Sequence, residues 1–303
     1  MGDPTVPSSA RRRGLDADDL TYLKQLHEPT SWDVSDDGPP AGDRWSSWDD
    51  DGVVRGPEPY PDWLVTELAA VDTELGILKT GKEADVHLVS RAVPGTGREC
   101  LLAAKRYRDS NHRLFHRDAG YLEGRRVRRS RENRAMARRT GFGRGIIAGQ
   151  WASAEFGAVC RLWELACDFG VRPFVPYPVQ LLGTELLLEL IGSDGEAAPR
   201  LAQLRPAPDE LASLWRQLLD ALVVMARAGL THGDLSAFNL LVHDGRLVLI
   251  DLPQVVDVVG NPQGPAFLAR DVRNVATWFA ARGLSGVDAG ELTRELLREA
   301  GMR

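Results

Sequence analysis

Thr231-His232-Gly233-Asp234-Leu235-Ser236-Ala237-Phe238-Asn239, followed by the apolar run Leu247–Ile250 and then Asp251, is the stretch on which the reading of this chain turns. It has the form H-x-D-L-x-x-x-N, then a hydrophobic strand, then Asp. In a phosphotransferase each position has a task. The first Asp accepts or orients the proton of the attacking hydroxyl, the Asn curls back to hold a metal ion, and the second Asp binds the metal that bridges the phosphates. Such catalysis is mostly positioning and charge neutralisation, so it calls for oxygen ligands on a rigid turn. Taken singly, Asp234 could cap a helix and Asn239 could make a turn. The spacing of the set is what carries information.

A metal-phosphate site also needs a cation from another element. The chain has 33 Arg and only four Lys, at positions 24, 79, 82 and 105. Lys105 ends Leu101-Leu102-Ala103-Ala104-Lys105, which matches a V-A-I-K strand whose lysine holds the α/β-phosphates. A compact ammonium makes a point contact in less space than a guanidinium fork needs. The anionic partner expected on a helix is Glu155, in Trp151-Ala152-Ser153-Ala154-Glu155-Phe156, with Glu164 as the rival. A third element is Lys79-Thr80-Gly81-Lys82-Glu83-Ala84-Asp85-Val86. Read from Gly76 it approaches a Walker A loop, but Glu83 stands where Ser or Thr would bind magnesium. The run Ala84–Val89 also reads as a strand, not a helix. A strand-turn-strand that lays backbone N–H groups over phosphates is the better expectation.

Composition bounds the rest. The 303 residues are 43% hydrophobic and 26% charged, which excludes a wholly disordered chain, a collagen and a coiled coil. No run approaches the ~18–20 apolar residues of a membrane span. The opening MGDPTVPSSARRRG lacks an apolar core, so no secretory signal is expected and the cytoplasm is the default location. Three cysteines, Cys100, Cys160 and Cys167, suit neither a disulfide framework nor a zinc site. Net charge is −6, unevenly spread: residues 1–60 hold 13 Asp and Glu against 6 Lys and Arg. That segment, with 13 Pro and Gly and no apolar period, reads as a disordered acidic tail. Its tryptophans Trp32, Trp45 and Trp48 read as a solvated set or a docking motif.

Order is expected from Pro61, with a helix carrying Trp63, Leu64, Leu68 and Val71. Strands follow at Leu75–Leu78, Val86–Val89 and Leu101–Tyr107. A helix spans 148–167, and two strands, Val179–Leu182 and Glu185–Ile191, flank Gly183. Beyond Gly192 the period becomes helical, over 211–225, 267–279 and 288–300, with a short hairpin around His243-Asp244-Gly245. Residues 125–144 hold nine Arg. They read either as an electropositive loop that could touch RNA phosphates, with Ser130 or Thr140 as autophosphorylation sites, or as a solvated loop pairing with the acidic tail.

TGKEADV, the LAAK strand, Glu155-Phe156, LELIGSDGEAAPRL, THGDLSAFNLLVHDG, LIDLPQ and FLARDVRNV occur in the order seen in the RIO family of atypical protein kinases, which the chain resembles over about residues 61–283. It looks most like the RIO-one-like branch, and its Arg-rich, Lys-poor composition suggests a bacterial member. The resemblance implies an α+β, protein-kinase-like bilobal fold: a small, five-stranded N-lobe, a hinge and a trimmed helical C-lobe. The division is then a tail over 1–60, an N-terminal lobe over 61–191 with leading helix and Arg-rich loop, and a C-terminal lobe over 192–303. It implies ATP with Mg²⁺ or Mn²⁺. Lys105 would contact the phosphates and pair with Glu155, and Asp234 would be the catalytic Asp. Asn239 and Asp251 would hold the metal. Lys79, Thr80, Gly81, Lys82, Glu83, Ala84 and Val86 would border the nucleotide, with Glu189 and Ile191 meeting adenine through their backbone.

Two departures from ordinary kinases stand out: Gly233 in place of Arg, and Pro253 where D-F-G has Gly, stiffening the turn after Asp251. No A-P-E-like segment follows. The expected activity is transfer to Ser/Thr of a protein whose identity the sequence does not reveal, mainly autophosphorylation, or ATP hydrolysis. Contact with a ribosomal subunit or RNA through residues 125–144 is the expected partner surface, and no membrane. The rivals are a small-molecule phosphotransferase of the aminoglycoside/choline kinase type and an ATP-gated scaffold.

Overall fold

The computed structural model describes residues 39, 41–108 and 141–302. Residues 1–38, Ser130, Thr140 and all but the end of the Arg-rich stretch lie outside them. Thirteen strands and four α-helices are described, with several 3-10 turns. β1 (Arg44–Trp45), β2 (Val54–Arg55), β3 (Val71–Thr80), β4 (Ala84–Val93), β5 (Arg98–Tyr107), β6 (Pro178–Leu182) and β7 (Glu185–Glu189) form one antiparallel sheet in the order β1-β3-β4-β5-β7-β6-β2. Helix α1 (Gly141–Asp168) enters between β5 and β6. Three two-stranded pairs follow, involving β8 (Gly192–Ser193), β9 (Glu196–Ala197), β10 (Leu230–Thr231), β11 (Leu240–His243), β12 (Arg246–Leu249) and β13 (Val256–Asp257). They are interleaved with α2 (Pro208–Arg227), α3 (Gly264–Ala280) and α4 (Ala289–Glu299). The mixed helix-and-sheet architecture agrees with the expected class.

The turns explain the sheet. Gly81 N–H bonds the Ala84 carbonyl at 3.0 Å, and a Cβ on Gly81 would sit 2.7 Å from that oxygen. The β3–β4 turn therefore needs glycine and is a strand-turn-strand, as its sequence predicted. The β11–β12 hairpin places Asp244 and Gly245 at φ 49° and 69°, the two left-handed positions of a tight hairpin turn.

Alternate strand residues face two apolar layers. Tyr107 and Leu186 pack with Ala148, Ala152 and Phe156 of α1 on one side. Leu102, Ala104, Val179 and Leu187 pack with Trp48, Leu64 and Val65 on the other. Further along α1, Val159, Leu162 and Ala166 join a separate core built on Leu214, Leu218 and Leu222 of α2 and Val272, Val275 and Phe279 of α3. One helix thus holds the sheet and the helical core in contact.

Two sequence expectations are corrected. Residues 41–60 are not a tail: β1 pairs with β3, and β2 pairs with β6. Trp48 is buried, edge-on to Tyr60 with ring centroids 5.1 Å apart, and Arg55 stacks over it. Backbone pairing to both sheet edges supplies what a polar composition alone could not. The helix expected from Pro61 is absent. Leu64 and Val65 are adjacent and both buried, while Leu68 is 82% exposed, so no single helical face exists. The segment instead runs into β3 at Val71. The seven-stranded sheet is thus the expected five long strands plus two short edge strands contributed by 44–55.

A buried polar chain spans this layer. Arg91 on β4 is fully buried and donates to both carboxylate oxygens of Asp72 at 2.7 and 3.0 Å, and to Gln180 Oε1 at 2.9 Å. Gln180 Nε2 in turn donates to Ser47 Oγ at 2.8 Å. Breaking such a pair by removing one member leaves an uncompensated buried charge, whereas replacing both with apolar groups is often nearly neutral. Arg91→Met should therefore destabilise the protein by about 3–5 kcal/mol in urea unfolding. Arg91→Met/Asp72→Leu should recover most of that loss, and a double variant no more stable than the single one would refute the pairing energetics.

Candidate active site

Lys105 lies on β5, and its neighbours Ala104 and Leu102 point into the core. The residue is 9% exposed, and its ammonium bonds Glu155 Oε1 at 2.6 Å and Asp251 Oδ1 at 2.8 Å. Burial by itself would lower its pKa, but the two carboxylates outweigh that and raise it above the ordinary lysine value. Glu155, on the face of α1 beneath the sheet, is also buried. Its Oε2 accepts from Tyr107 O–H at 2.5 Å and its Oε1 from Leu252 N–H at 3.2 Å. Burial and the Glu155 charge push the Tyr107 phenol far up, so it stays a donor. Glu155, not Glu164, is the lysine partner.

Asp251 follows β12 with φ 61°, a left-handed backbone that a non-glycine residue rarely adopts. Burial alone would raise its pKa. Lys105 and, more weakly, Lys79 and Arg200 reverse that and bring it to about 2. Lys79 Nζ stands 3.9 Å and Arg200 Nη2 4.0 Å from Asp251 Oδ2. Lys79 is itself shifted down, first by burial and then by its cationic neighbours against the pull of Asp251.

The β11–β12 register explains the spacing between Asn239 and Asp251. Leu240 pairs with Leu249, so Asn239 falls opposite Ile250, whose N–H bonds the Asn239 carbonyl at 3.0 Å. Asn239 Nδ2 donates to the Asp234 carbonyl at 2.9 Å. Two hydrogen bonds therefore tie Asp234, Asn239 and the strand leading to Asp251. His232 sits between the same elements, Nε2 donating to the Ile250 carbonyl at 3.0 Å and Nδ1 accepting from Asp234 N–H at 3.3 Å.

The loop itself is held from α3. Asp271 is fully buried, and its carboxylate accepts from Thr231 Oγ1 at 2.8 Å, Gly233 N–H at 2.7 Å and Leu235 N–H at 3.0 Å. Arg270 donates to the Gly233 carbonyl, and Asn274 Nδ2 to the Leu235 carbonyl at 3.0 Å. Gly233 has φ 84°, and a Cβ there would meet the Gln254 carbonyl at 2.2 Å, so the arginine that ordinary kinases carry at this point has no room. The FLARDVRNV motif was legible in sequence, but its task as the clamp on this loop was not. A buried Asp whose partners lie 36 to 40 positions away gives no local signal of them.

A cleft of about 660 Å³ opens beside Lys105. Lys79, Val86, Lys105, Glu155, Glu189, Ile191 and Asp251 line it, with Ala103, Leu188, Leu241 and Ile250 as apolar surface and Arg200 as a further cation. Thr80, Gly81, Lys82, Glu83 and Ala84 belong to the adjoining β3–β4 turn and do not line it. Asp234 and Asn239 do not line it either; Asn239 bonds the lining residue Ile250, and the Asp234 carbonyl accepts from Asn239. At its far end Glu189 N–H bonds the Tyr177 carbonyl at 2.9 Å, and the Ile191 carbonyl accepts from Ala198 N–H at 2.8 Å. The Glu189 side chain is committed to Tyr177 N–H at 2.8 Å and Arg246 at 3.2 Å.

The donor set can be tested against a divalent cation. Magnesium-class ions take oxygen ligands, one or two from protein and the rest from water and phosphate. Asp251 is ionised, and the Asn239 amide nitrogen is occupied, leaving its oxygen as the ligand. The pair fits such an ion. Among the described residues no group of three or more His, Cys, Asp or Glu forms a cage, which such an ion does not need.

The family model described as "RIO domain" matches residues 102–292. The chain belongs to the RIO family. Among curated relatives, the "RIO-type serine/threonine-protein kinase Rio1" of Haloferax volcanii is 35% identical over 70% of this chain and 65% of that protein. The "Serine/threonine-protein kinase RIO1" of Caenorhabditis elegans is 30% identical over 69% of this chain and 37% of that protein. The human protein of that name is 30% identical over 72% and 35%. The chain thus spans between about one third and two thirds of the length of these RIO relatives. Among the described residues no helix is long and apolar enough to cross a membrane.

Asp271→Asn should cost at least about 3 kcal/mol, since it turns an amide toward donors that now share one charged acceptor, each such bond being worth ~1.5–3 kcal/mol. Urea denaturation measures it. A loss below about 1 kcal/mol would show that the loop is held otherwise.

Proposed function

We propose that this chain is a RIO-type atypical serine/threonine protein kinase that transfers the γ-phosphoryl group of ATP. Self-phosphorylation and ATP hydrolysis are outcomes of the same site. The observation that carries the reading is the Lys105 ammonium bridging Glu155 and Asp251 at 2.6 and 2.8 Å at the edge of the cleft. The names borne by the archaeal, nematode and human relatives support it. We place the chain in the RIO-one-like branch on those names, and among bacterial members on its 33 Arg and four Lys. We divide it into two lobes, 61–191 with the edge strands of 41–60, and 192–303, in the cytoplasm. The Arg-rich residues 125–144 are the candidate surface for RNA phosphates or a ribosomal subunit, on charge alone.

The roles follow from the chemistry of the groups. The apolar lining of Val86, Ala103, Leu188, Leu241 and Ile250 suits a purine. The Glu189 carbonyl and the Ile191 N–H are the backbone groups left by the bonds described above, and they match the donor and acceptor of an adenine edge. Lys105, positioned by Glu155, contacts the phosphates, and the β3–β4 turn from Lys79 to Ala84 covers them. Asn239 and Asp251 hold Mg²⁺ or Mn²⁺, which when bound neutralises charge on the phosphate chain. Asp234 accepts the proton of the attacking hydroxyl as its oxygen bonds the γ-phosphorus and the bond to the β-phosphate oxygen breaks. A water in place of the hydroxyl gives hydrolysis.

Asp234→Asn should lower phosphoryl transfer by about 10²–10⁴-fold while leaving ATP affinity nearly unchanged. Asp251→Asn should instead abolish the metal dependence of ATP binding in calorimetry. Transfer at the wild-type rate by the Asp234 variant would remove the assignment. Purified protein with γ-labelled ATP separates the readings. Label on protein indicates a kinase, free phosphate alone an ATPase, label on a small metabolite a small-molecule phosphotransferase, and binding without any turnover an ATP-gated scaffold.

A further inference from the structure

Arg200 lies near the end of LELIGSDGEAAPRL, where the motif alone assigns it no role, yet the fold brings it into the cleft beside Asp251. It follows Pro199 on the segment after β9 and forms an isolated β-bridge with Leu241. Its own N–H is capped by Gln203 Oε1 at 2.8 Å, so its backbone is pinned at both sides. The side chain is only 19% exposed and lines the cleft. Nη1 donates to the Phe238 carbonyl, in the loop between Asp234 and Asn239. Nη2 points to Asp251 Oδ2 but stops 4.0 Å away, beyond hydrogen-bond reach. Among the described residues no other side-chain bond uses this guanidinium.

The local charge balance gives that arrangement a direction. Lys79, Lys105 and Arg200 face two carboxylates, Asp251 and Glu155, and Lys105 already satisfies one oxygen of each. Lys79 and Arg200 approach the remaining Asp251 oxygen at 3.9 and 4.0 Å, and neither bonds it. Lys79, whose side chain is 46% exposed, and the more buried Arg200 are thus held beside each other, sharing one carboxylate oxygen as long ion pairs that neither closes into a hydrogen bond. Like charges so placed repel, and an anion entering between them relieves the cost. Of the two, Arg200 is the fixed one, because its other nitrogen is anchored to the backbone. A planar guanidinium with free N–H groups is the side chain best shaped for phosphate oxygens.

We propose that Arg200 is a phosphate-binding residue of the nucleotide site, contacting the β- or γ-phosphate of ATP. It works beside Lys105 and couples that contact, through Phe238, to the loop carrying Asp234 and Asn239. The proposal rests on the reading that the cleft takes ATP. The chemistry it recognises is a polyphosphate chain, not the base or the ribose.

The test is calorimetric titration of the full chain with ATP, AMP and adenosine in Mg²⁺, for the wild type, Arg200→Ala and Arg200→Lys. Loss of a charge-assisted contact should weaken ATP binding by Arg200→Ala about ten- to hundredfold. AMP and adenosine should stay within about twofold of the wild type. Arg200→Lys should restore part of the ATP loss, because it returns the charge without the fork. Retained adenosine binding shows that the variant is folded. An equal loss across all three ligands would make Arg200 a structural tether of Phe238 and overturn its phosphate role alone. Unchanged ATP binding by Arg200→Ala would do the same. A wild-type protein that binds none of the three ligands would overturn the reading of the cleft and this assignment with it.

Discussion

The ammonium of a buried lysine is stable only if its charge is answered, and Lys105 is answered twice. Glu155 comes from helix α1 and Asp251 from the segment after β12, so the bridge joins the sheet, the long helix and the segment that leaves the hairpin. Each of these elements is placed by apolar packing: Leu102 and Ala104 on β5, Phe156 on α1 and Leu249 on β12 are all buried. Packing brings the charges within reach, and the charges then fix the register of the three elements to within a hydrogen bond. The same arrangement leaves Asp251 ionised and facing the cleft, which is the state a phosphate-bound cation requires.

Around this bridge lies a second layer of buried polar contacts. Asp271 gathers Thr231, Gly233 and Leu235 onto one carboxylate, and Gly233 lets the chain pass against the Gln254 carbonyl where any side chain would collide. Tyr107 fills the second oxygen of Glu155, and Leu252 N–H shares the first. Buried polar groups that are fully satisfied restrict a site to one geometry, whereas partly satisfied ones would loosen it. The left-handed backbone at Asp251 persists because Lys105 and the neighbouring Leu252 bond hold both its side chain and the turn that follows. Arg200 extends this frame along the cleft, from the segment after β9 to the loop that carries Asp234.

The segment 41–60 shows why composition misleads near a sheet. Its residues are polar and rich in Asp, Gly and Pro, a mixture that cannot build a core of its own. Two short strands nevertheless pair with opposite edges of the sheet, and Trp48 drops into the layer beneath Val89 and Tyr177. The edges supply hydrogen-bond partners that no reading of the segment in isolation could count. The opposite error, a helix from Pro61, came from a period of apolar residues in which Leu68 proves to be at the surface. A period of four or five residues is too short to outweigh the pull of an adjoining strand.

By itself, the sequence named the candidate polar groups and the local turns. H-x-D-L-x-x-x-N with a later Asp, the LAAK strand and Glu155 named the groups that the fold brings together, because spacing along a strand or hairpin is local information. The Asp244-Gly245 turn and the alternation of its flanking strands likewise placed Asn239 opposite Ile250, beside Asp251. Only the tertiary structure decided which distant groups support them: Tyr107 under Glu155, Asp271 beneath the loop, Arg200 beside Asp251, and residues 41–60 along the sheet edges. Those contacts join residues dozens to more than a hundred positions apart, as with Arg91 and Gln180. Their geometry follows from how the layers pack, and no periodicity in the chain encodes it.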